Sequence, residues 1–121
     1  MALQASGALQ AVWPSVEING KHFFDGGSFS MENPDVVVDA DKMLVLSTGL
    51  PVDVPYKLED LLAQLEKKGT ETSLVLPSEK TMNILKDFNY NTVEAKIRPF
   101  VAQAGREQGQ AEAALIKERW L

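Results

Sequence analysis

Cysteine is missing altogether from the 121 residues. Its absence removes disulfides, thiolate metal sites and a cysteine nucleophile together, and leaves the redox compartment undetermined. Histidine occurs once, at His22, so chemistry that needs an imidazole has a single candidate. Positive charge is sparse: 12 Lys and Arg against 17 Asp and Glu give a formal charge of −5 and a pI near 4.8. A face that grips phosphates needs clustered Lys and Arg. The one adjacent basic pair, Lys67-Lys68, sits where a helix C-terminus welcomes cations, so the sequence argues for no nucleic-acid partner. Long apolar runs are missing too. Val36-Val37-Val38 and Met43-Leu44-Val45-Leu46 fall far short of the ~18 to 20 residues a membrane-spanning helix needs, so no transmembrane segment is expected. Residues 1–12 carry no basic n-region and do not read as a signal peptide. With no targeting segment visible, a cytoplasmic location is favoured, unless the true N-terminus lies upstream.

What is present is ordinary in bulk, with 45% hydrophobic and 24% charged residues. That composition suits one small globular unit over residues 1–121 with a modest core. Its organising stretch is Val16–Gly27. Asn19-Gly20 lies between two short alternating apolar runs, the strongest local signal for a two-residue hairpin, because a type I′ turn needs positive φ at both central residues. The returning strand, Lys21 to Phe24, delivers Asp25 onto Gly26-Gly27. Two glycines after a carboxylate permit a sharp turn and close approach of another group.

Around this hairpin the chain alternates. Met1 to Val12 is rich in Ala, Leu and Gln and reads as a helix ended by Trp13-Pro14. Asn33 caps a short helix with Pro34 at its first position, although Val36, Val37 and Val38 are poor helix formers. Lys42–Ser47 is a strand of the doubly buried kind. Leu58, Leu61, Leu62 and Leu65 share one face of a helix that Gly69 terminates. Thr72–Leu76 is a second buried strand, and Ser78 caps a helix running to about Phe88. From Thr92 to Leu121 the tail reads as helix, with Pro99 opening a new segment. Gly105 and Gly109, four apart, predict close approach to a packed neighbour, and Trp120 is expected to fold back onto the core. The fold class is therefore α/β, with a partly parallel sheet, a β-hairpin and helices on the sheet's faces. Only about four strands are visible, so a sheet this small keeps an open edge if it stands alone.

The segments Ala5-Ser6-Gly7-Ala8-Leu9, Val12-Trp13-Pro14-Ser15-Val16-Glu17-Ile18-Asn19-Gly20, Phe23-Phe24-Asp25-Gly26-Gly27 and Asn33-Pro34 together resemble the C-terminal half of the patatin-like phospholipases and acyl hydrolases, in their bacterial branch. The resemblance extends through Leu74-Val75-Leu76-Pro77 and Ala104-Gly105-Arg106-Glu107-Gln108-Gly109. Gln10 stands where many members carry proline, and Ser15 where a second proline is frequent. The resemblance implies a three-layer patatin-like sheet with flanking helices, present here only in its C-terminal part. It further implies lipid or carboxylic ester hydrolysis by a Ser-Asp dyad, with no cofactor, and with Asp25 as the base that Gly26 and Gly27 support.

The family's nucleophile lies in a Gly-x-Ser-x-Gly elbow upstream of this region, and its oxyanion hole in a Gly-rich loop further upstream. Neither is spelled here. Gly26-Gly27-Ser28-Phe29-Ser30 lacks the second glycine, and Val45-Leu46-Ser47-Thr48-Gly49 lacks the first. The chain alone is accordingly expected to be inactive, its partners being an ester substrate and either the missing N-terminal half or another chain that completes the sheet. Trp13, Phe23, Phe24 and Phe29 are candidates for lining an acyl pocket, or else plain core. His22 alternates with Phe23 on the hairpin and reads as a solvated strand residue. Asp35, Asp39 and Asp41 lack metal-ligand spacing, so no metal site is expected. The alternative to an enzyme part is a non-catalytic relative that binds a ligand or a partner protein.

Overall fold

A computed structural model describes residues 1–120. It is a small mixed α/β structure with four α-helices and two two-stranded sheets among the described residues. The chain sorts into two compact units, Met1–Leu46 with Pro51–Leu74, and Ser47–Leu50 with the chain from Val75 onward.

The first unit opens with a helix far shorter than the sequence suggests. Helix α1 spans only Ala2–Ala5, and the chain then runs through turns to Trp13, with Ala11 in the left-handed region at φ 68. Gly7 weakens continuation, and four helical residues gain little against the cost of nucleation. The small residues Ala5 and Ala8 are buried while Leu3 is 91% exposed. The hairpin follows as read: β1 (Val16–Ile18) pairs antiparallel with β2 (Lys21–Phe23), in the register Val16–Phe23, Glu17–His22, Ile18–Lys21. Asn19 at φ 53 and Gly20 at φ 74 supply the two positive values of the tight turn. A 3-10 turn over Pro34–Val36 replaces the short α-helix expected there, and Val36, Val37 and Val38 are exposed. Stiff β-branched side chains after a single turn do not propagate a helix.

Strand β3 (Lys42–Leu46), helix α2 (Leu58–Lys67) and strand β4 (Glu71–Val75) form a strand–helix–strand crossover. Glu71 N–H donates to Asp41 C=O at 2.8 Å and Ser47 N–H to Val75 C=O at 3.0 Å. Bonds that join the strand beginnings and the strand ends make the pair parallel. Met43 and Val45 point one way from β3 and pack with Leu62 and Leu65, with Leu58 against them. This is the predicted leucine stripe meeting the predicted strand. Gly69, at φ 100, ends α2 as read: its N–H donates to Glu66 C=O and the Thr70 N–H to Leu65 C=O. That pair of bonds is a Schellman closure, which needs the left-handed residue glycine provides.

The second unit contains α3 (Glu79–Asp87) and α4 (Arg98–Trp120), packed on each other. Ser78 caps α3 as expected, its hydroxyl accepting from Thr81 N–H. Its far end closes through Asn89, at φ 50, which donates to Lys86 C=O while Tyr90 N–H reaches Leu85 C=O. Pro99 falls in the first turn of α4, after a 3-10 turn over Ala95–Ile97. Two expectations fail in α4. An added Cβ at Gly105 or Gly109 would meet nothing within 4 Å, so no neighbour packs against them, and Trp120 remains 47% exposed. The reason lies on the helix face that does engage. It carries Ala104, which is buried, then Gln108 and Glu112, spaced by one helical turn. Gln108 donates to Leu76 C=O at 2.6 Å and accepts from Ser78 N–H at 2.8 Å. Beyond Ala104 the helix is therefore tied by hydrogen bonds rather than by an apolar stripe. The expected helix end at Leu121 lies outside the described residues.

Candidate functional site

The hairpin aims its last residues at a fixed point. Just past the end of β2, Asp25 N–H donates to Ala8 C=O at 3.1 Å, tying the strand exit to the N-terminal segment. Asp25 then caps a 3-10 turn over Gly26–Ser28, its Oδ1 accepting from Gly27 N–H at 2.8 Å. A carboxylate accepting a backbone N–H is held in one rotamer, and its charge satisfies a donor the short turn would otherwise leave open. Asp25 is half-buried, and among the described residues no hydrogen bond reaches Oδ2. One oxygen is anchored and the other is unengaged.

Gly26 and Gly27 serve this turn by their size. Neither has a positive φ, contrary to the expectation of special backbone freedom. A Cβ on Gly27 would stand 3.2 Å from Asp25 Oδ1, and one on Gly26 would stand 3.3 Å from Asn33 Nδ2. Both glycines leave room for polar atoms that hold the turn. Asn33, itself left-handed at φ 48, donates from its side-chain amide to Gly26 C=O at 3.1 Å and to Ser30 C=O. Its backbone position still precedes Pro34 as expected, but its side chain does not cap that turn. It staples back onto the Asp25 loop. Ser30 inside the loop is fully buried. Sequence reasoning assigned Asn33 to the helix start and missed this second role.

The two serines closest in spelling to a nucleophile are placed differently. Ser28 Oγ is buried and has no hydrogen-bond partner, so it is not open to a substrate. Ser47 Oγ accepts from Gly49 N–H at 3.0 Å within a turn where Gly49 has φ 62 and packs against Pro77. Neither presents a free hydroxyl on a strand-to-helix elbow.

Of the four aromatic candidates, Trp13 lines a groove. It does so with Leu3, Gln4, Gly7, Ala8, Pro14, Ser15 and Val16, around a wide-open space of about 570 Å³. Phe23 and Phe24 are exposed beside Asp25. Phe29 stacks on Tyr56 with ring centroids 4.1 Å apart, and Tyr56 N–H donates to Phe29 C=O at 3.2 Å. That contact ties the Asp25 loop to the segment leading into α2. His22 is exposed on the hairpin, opposite Glu17, with Nδ1 2.9 Å from Ser15 Oγ. The turn at Asn19-Gly20 fixes that diagonal contact, so the register alone contained the signal for it. Among the described residues no group of three or more His, Asp or Glu is placed to hold a metal, and no helix is long and apolar enough to cross a membrane.

Compared with known proteins, the chain matches no family model and no curated sequence.

Proposed function

We propose that residues 1–121 are the C-terminal part of a patatin-like serine acyl hydrolase, in which Asp25 is the general base for a serine supplied by polypeptide outside this sequence. The observation that carries the reading is the state of the Asp25 carboxylate: Oδ1 held by Gly27 N–H at 2.8 Å, Oδ2 unengaged, on a turn braced by Ala8 and Asn33. A base must be positioned before the proton arrives, and it must keep a lone pair for that proton. With the serine hydroxyl delivered to Oδ2, Asp25 would take its proton as the oxygen attacks an ester carbonyl. It would return a proton to the leaving alcohol, then activate water to release the acid. No imidazole is needed, which accords with the exposed position of His22. The wider three-layer sheet belongs to this proposal, as do a lipid or other ester substrate and the exposed Phe23 and Phe24 as contacts for its acyl chain.

The test has two arms. The 121-residue chain alone should not hydrolyse a short-chain p-nitrophenyl ester. The longer protein carrying an upstream Gly-x-Ser-x-Gly should do so, and Asp25→Asn should abolish its turnover while leaving its circular dichroism unchanged. Asp25-dependent turnover by the chain alone, or full activity in the Asp25→Asn protein, overturns the reading.

A second reading, a non-catalytic interaction module of the same descent, is supported by a different observation. Val36, Val38 and Leu46 are each at least 70% exposed, and exposed aliphatic side chains are what a partner protein would cover. Absence of any in-frame elbow upstream would favour this reading.

A further inference from the structure

We propose that Asn33 is the positioning residue of the Asp25 carboxylate, and that it acts through the single peptide plane between Gly26 and Gly27. The catalytic consequence rests on the hydrolase reading; the positioning itself does not.

Gly26 C=O and Gly27 N–H are the two ends of one peptide unit, which is planar and trans, so they point in opposite directions. At one end Gly27 N–H donates to Asp25 Oδ1 at 2.8 Å. At the other, Gly26 C=O accepts from Asn33 Nδ2 at 3.1 Å. The Asn33 amide and the Asp25 carboxylate therefore hold the same rigid plane from opposite sides. Rotation of that plane breaks both bonds together. A donor on the carbonyl also polarises the N–H across the plane, which strengthens its bond to the carboxylate.

This plane needs an outside hold. Both residues that flank it are glycine, so no Cβ hinders its rotation. The 3-10 turn around it is only Gly26–Ser28, and so short a turn gains little from its own bonds. The other donors to Gly26 C=O, Phe29 N–H at 2.9 Å and Ser30 N–H at 3.2 Å, are lost when the turn opens. Ala8 C=O takes the Asp25 N–H, which fixes the backbone but not the direction of the carboxylate. Asn33 reaches in from outside the turn and is itself fixed. Both hydrogens of its amide are used, on Gly26 C=O and on Ser30 C=O, and Ser30 is fully buried. Glycine at position 26 admits the amide, since a Cβ there would stand 3.3 Å from Nδ2.

With Oδ1 so engaged, the carboxylate presents Oδ2, the oxygen that takes the serine proton in the hydrolase reading. Without the Asn33 amide the plane can turn and the carboxylate can swing before a substrate arrives. A misplaced base costs rate rather than binding.

Nuclear magnetic resonance of the 121-residue chain tests this with Asn33→Gly and Asn33→Asp. The first keeps the left-handed backbone and removes both donors, and the second removes both donors while keeping the side-chain shape. In the wild-type chain the vicinal couplings of the Asp25 β-protons should report a single rotamer. In each variant they should average, and Gly27 N–H should exchange about tenfold faster, while exchange at Ile18 and Lys21 of the hairpin and the circular dichroism stay unchanged. In the longer protein each variant should lower kcat about 100-fold and leave KM within about twofold. Averaged Asp25 couplings already in the wild type, or a single Asp25 rotamer and unchanged Gly27 exchange in both variants, overturn the proposal. An unchanged kcat in the variants while Asp25→Asn abolishes turnover also overturns it, and leaves Asp25 as the base. Full activity of Asp25→Asn fails the hydrolase reading instead, and the Asp25 couplings still decide the positioning.

Discussion

Removing the Asn33 side-chain amide undoes two bonds at once, to Gly26 C=O and to Ser30 C=O. Asn33→Ala also forces a Cβ residue without a local hydrogen-bonding side chain into the left-handed region that asparagine tolerates. Asn33→Gly loses the same bonds and relieves the backbone. Denaturant unfolding should therefore show a loss of about 1–3 kcal/mol for Asn33→Ala and a visibly smaller loss for Asn33→Gly. Equal losses would mean that the left-handed backbone contributes nothing. A second residue-scale effect concerns acid. Hydrogen bonds from Lys80 and then Gln103, with the Lys80 charge beside them, hold the Glu107 carboxyl below its ordinary 4.5. A depressed value in the folded state means that the interaction stabilises the fold above the ordinary carboxylate range. Its contribution is lost as pH falls below about 4.5 and through the lowered value. The pair is at the surface, so the effect is small. Melting temperature followed down through that range should fall less steeply in Lys80→Ala than in the wild-type chain.

At the scale of elements, α2 and α4 make opposite cases. The spacing of Leu58, Leu61, Leu62 and Leu65 fixed one face of α2, and that face is where Met43 and Val45 meet it. Leu62→Ala should cost about 2–5 kcal/mol in denaturant unfolding. The hairpin was equally legible, because Asn19-Gly20 specifies turn type, register and pairing together. α4 was legible as a helix but not in its packing. Its inward face is polar past Ala104, and periodicity says nothing about hydrogen bonds such as those of Gln108 to Leu76 and Ser78. The same blindness affected the site. Asp25 could be picked out by its glycines, but the brace from Asn33 spans seven residues and depends on a left-handed backbone that no pattern of apolar residues announces. The open surroundings of Gly105 turn that misreading into a prediction. Gly105→Ala adds a Cβ into empty space in a helix interior, so it should raise stability by about 1 kcal/mol; thermal melts that show destabilisation would mean a neighbour does pack there.

At the scale of the molecule, the two compact units interleave along the chain. Polypeptide leaves the first unit after Leu46, spends Ser47–Leu50 in the second, returns at Pro51, and leaves again after Leu74. Within the second unit, Ser47 N–H is bonded to Val75 C=O and Gly49 lies against Pro77. The four-residue excursion is therefore stitched into its host rather than passing by it. No single cut yields both units whole: a protease nick between Leu74 and Val75 leaves Ser47–Leu50 covalently on the polypeptide that carries the first unit. Truncation after Leu74 keeps every residue of the first unit, whereas an N-terminal deletion that removes the first unit also removes Ser47–Leu50 from the second. Isolating the second needs a rearranged gene in which Ser47–Leu50 is joined by a new linker to the segment that begins at Val75.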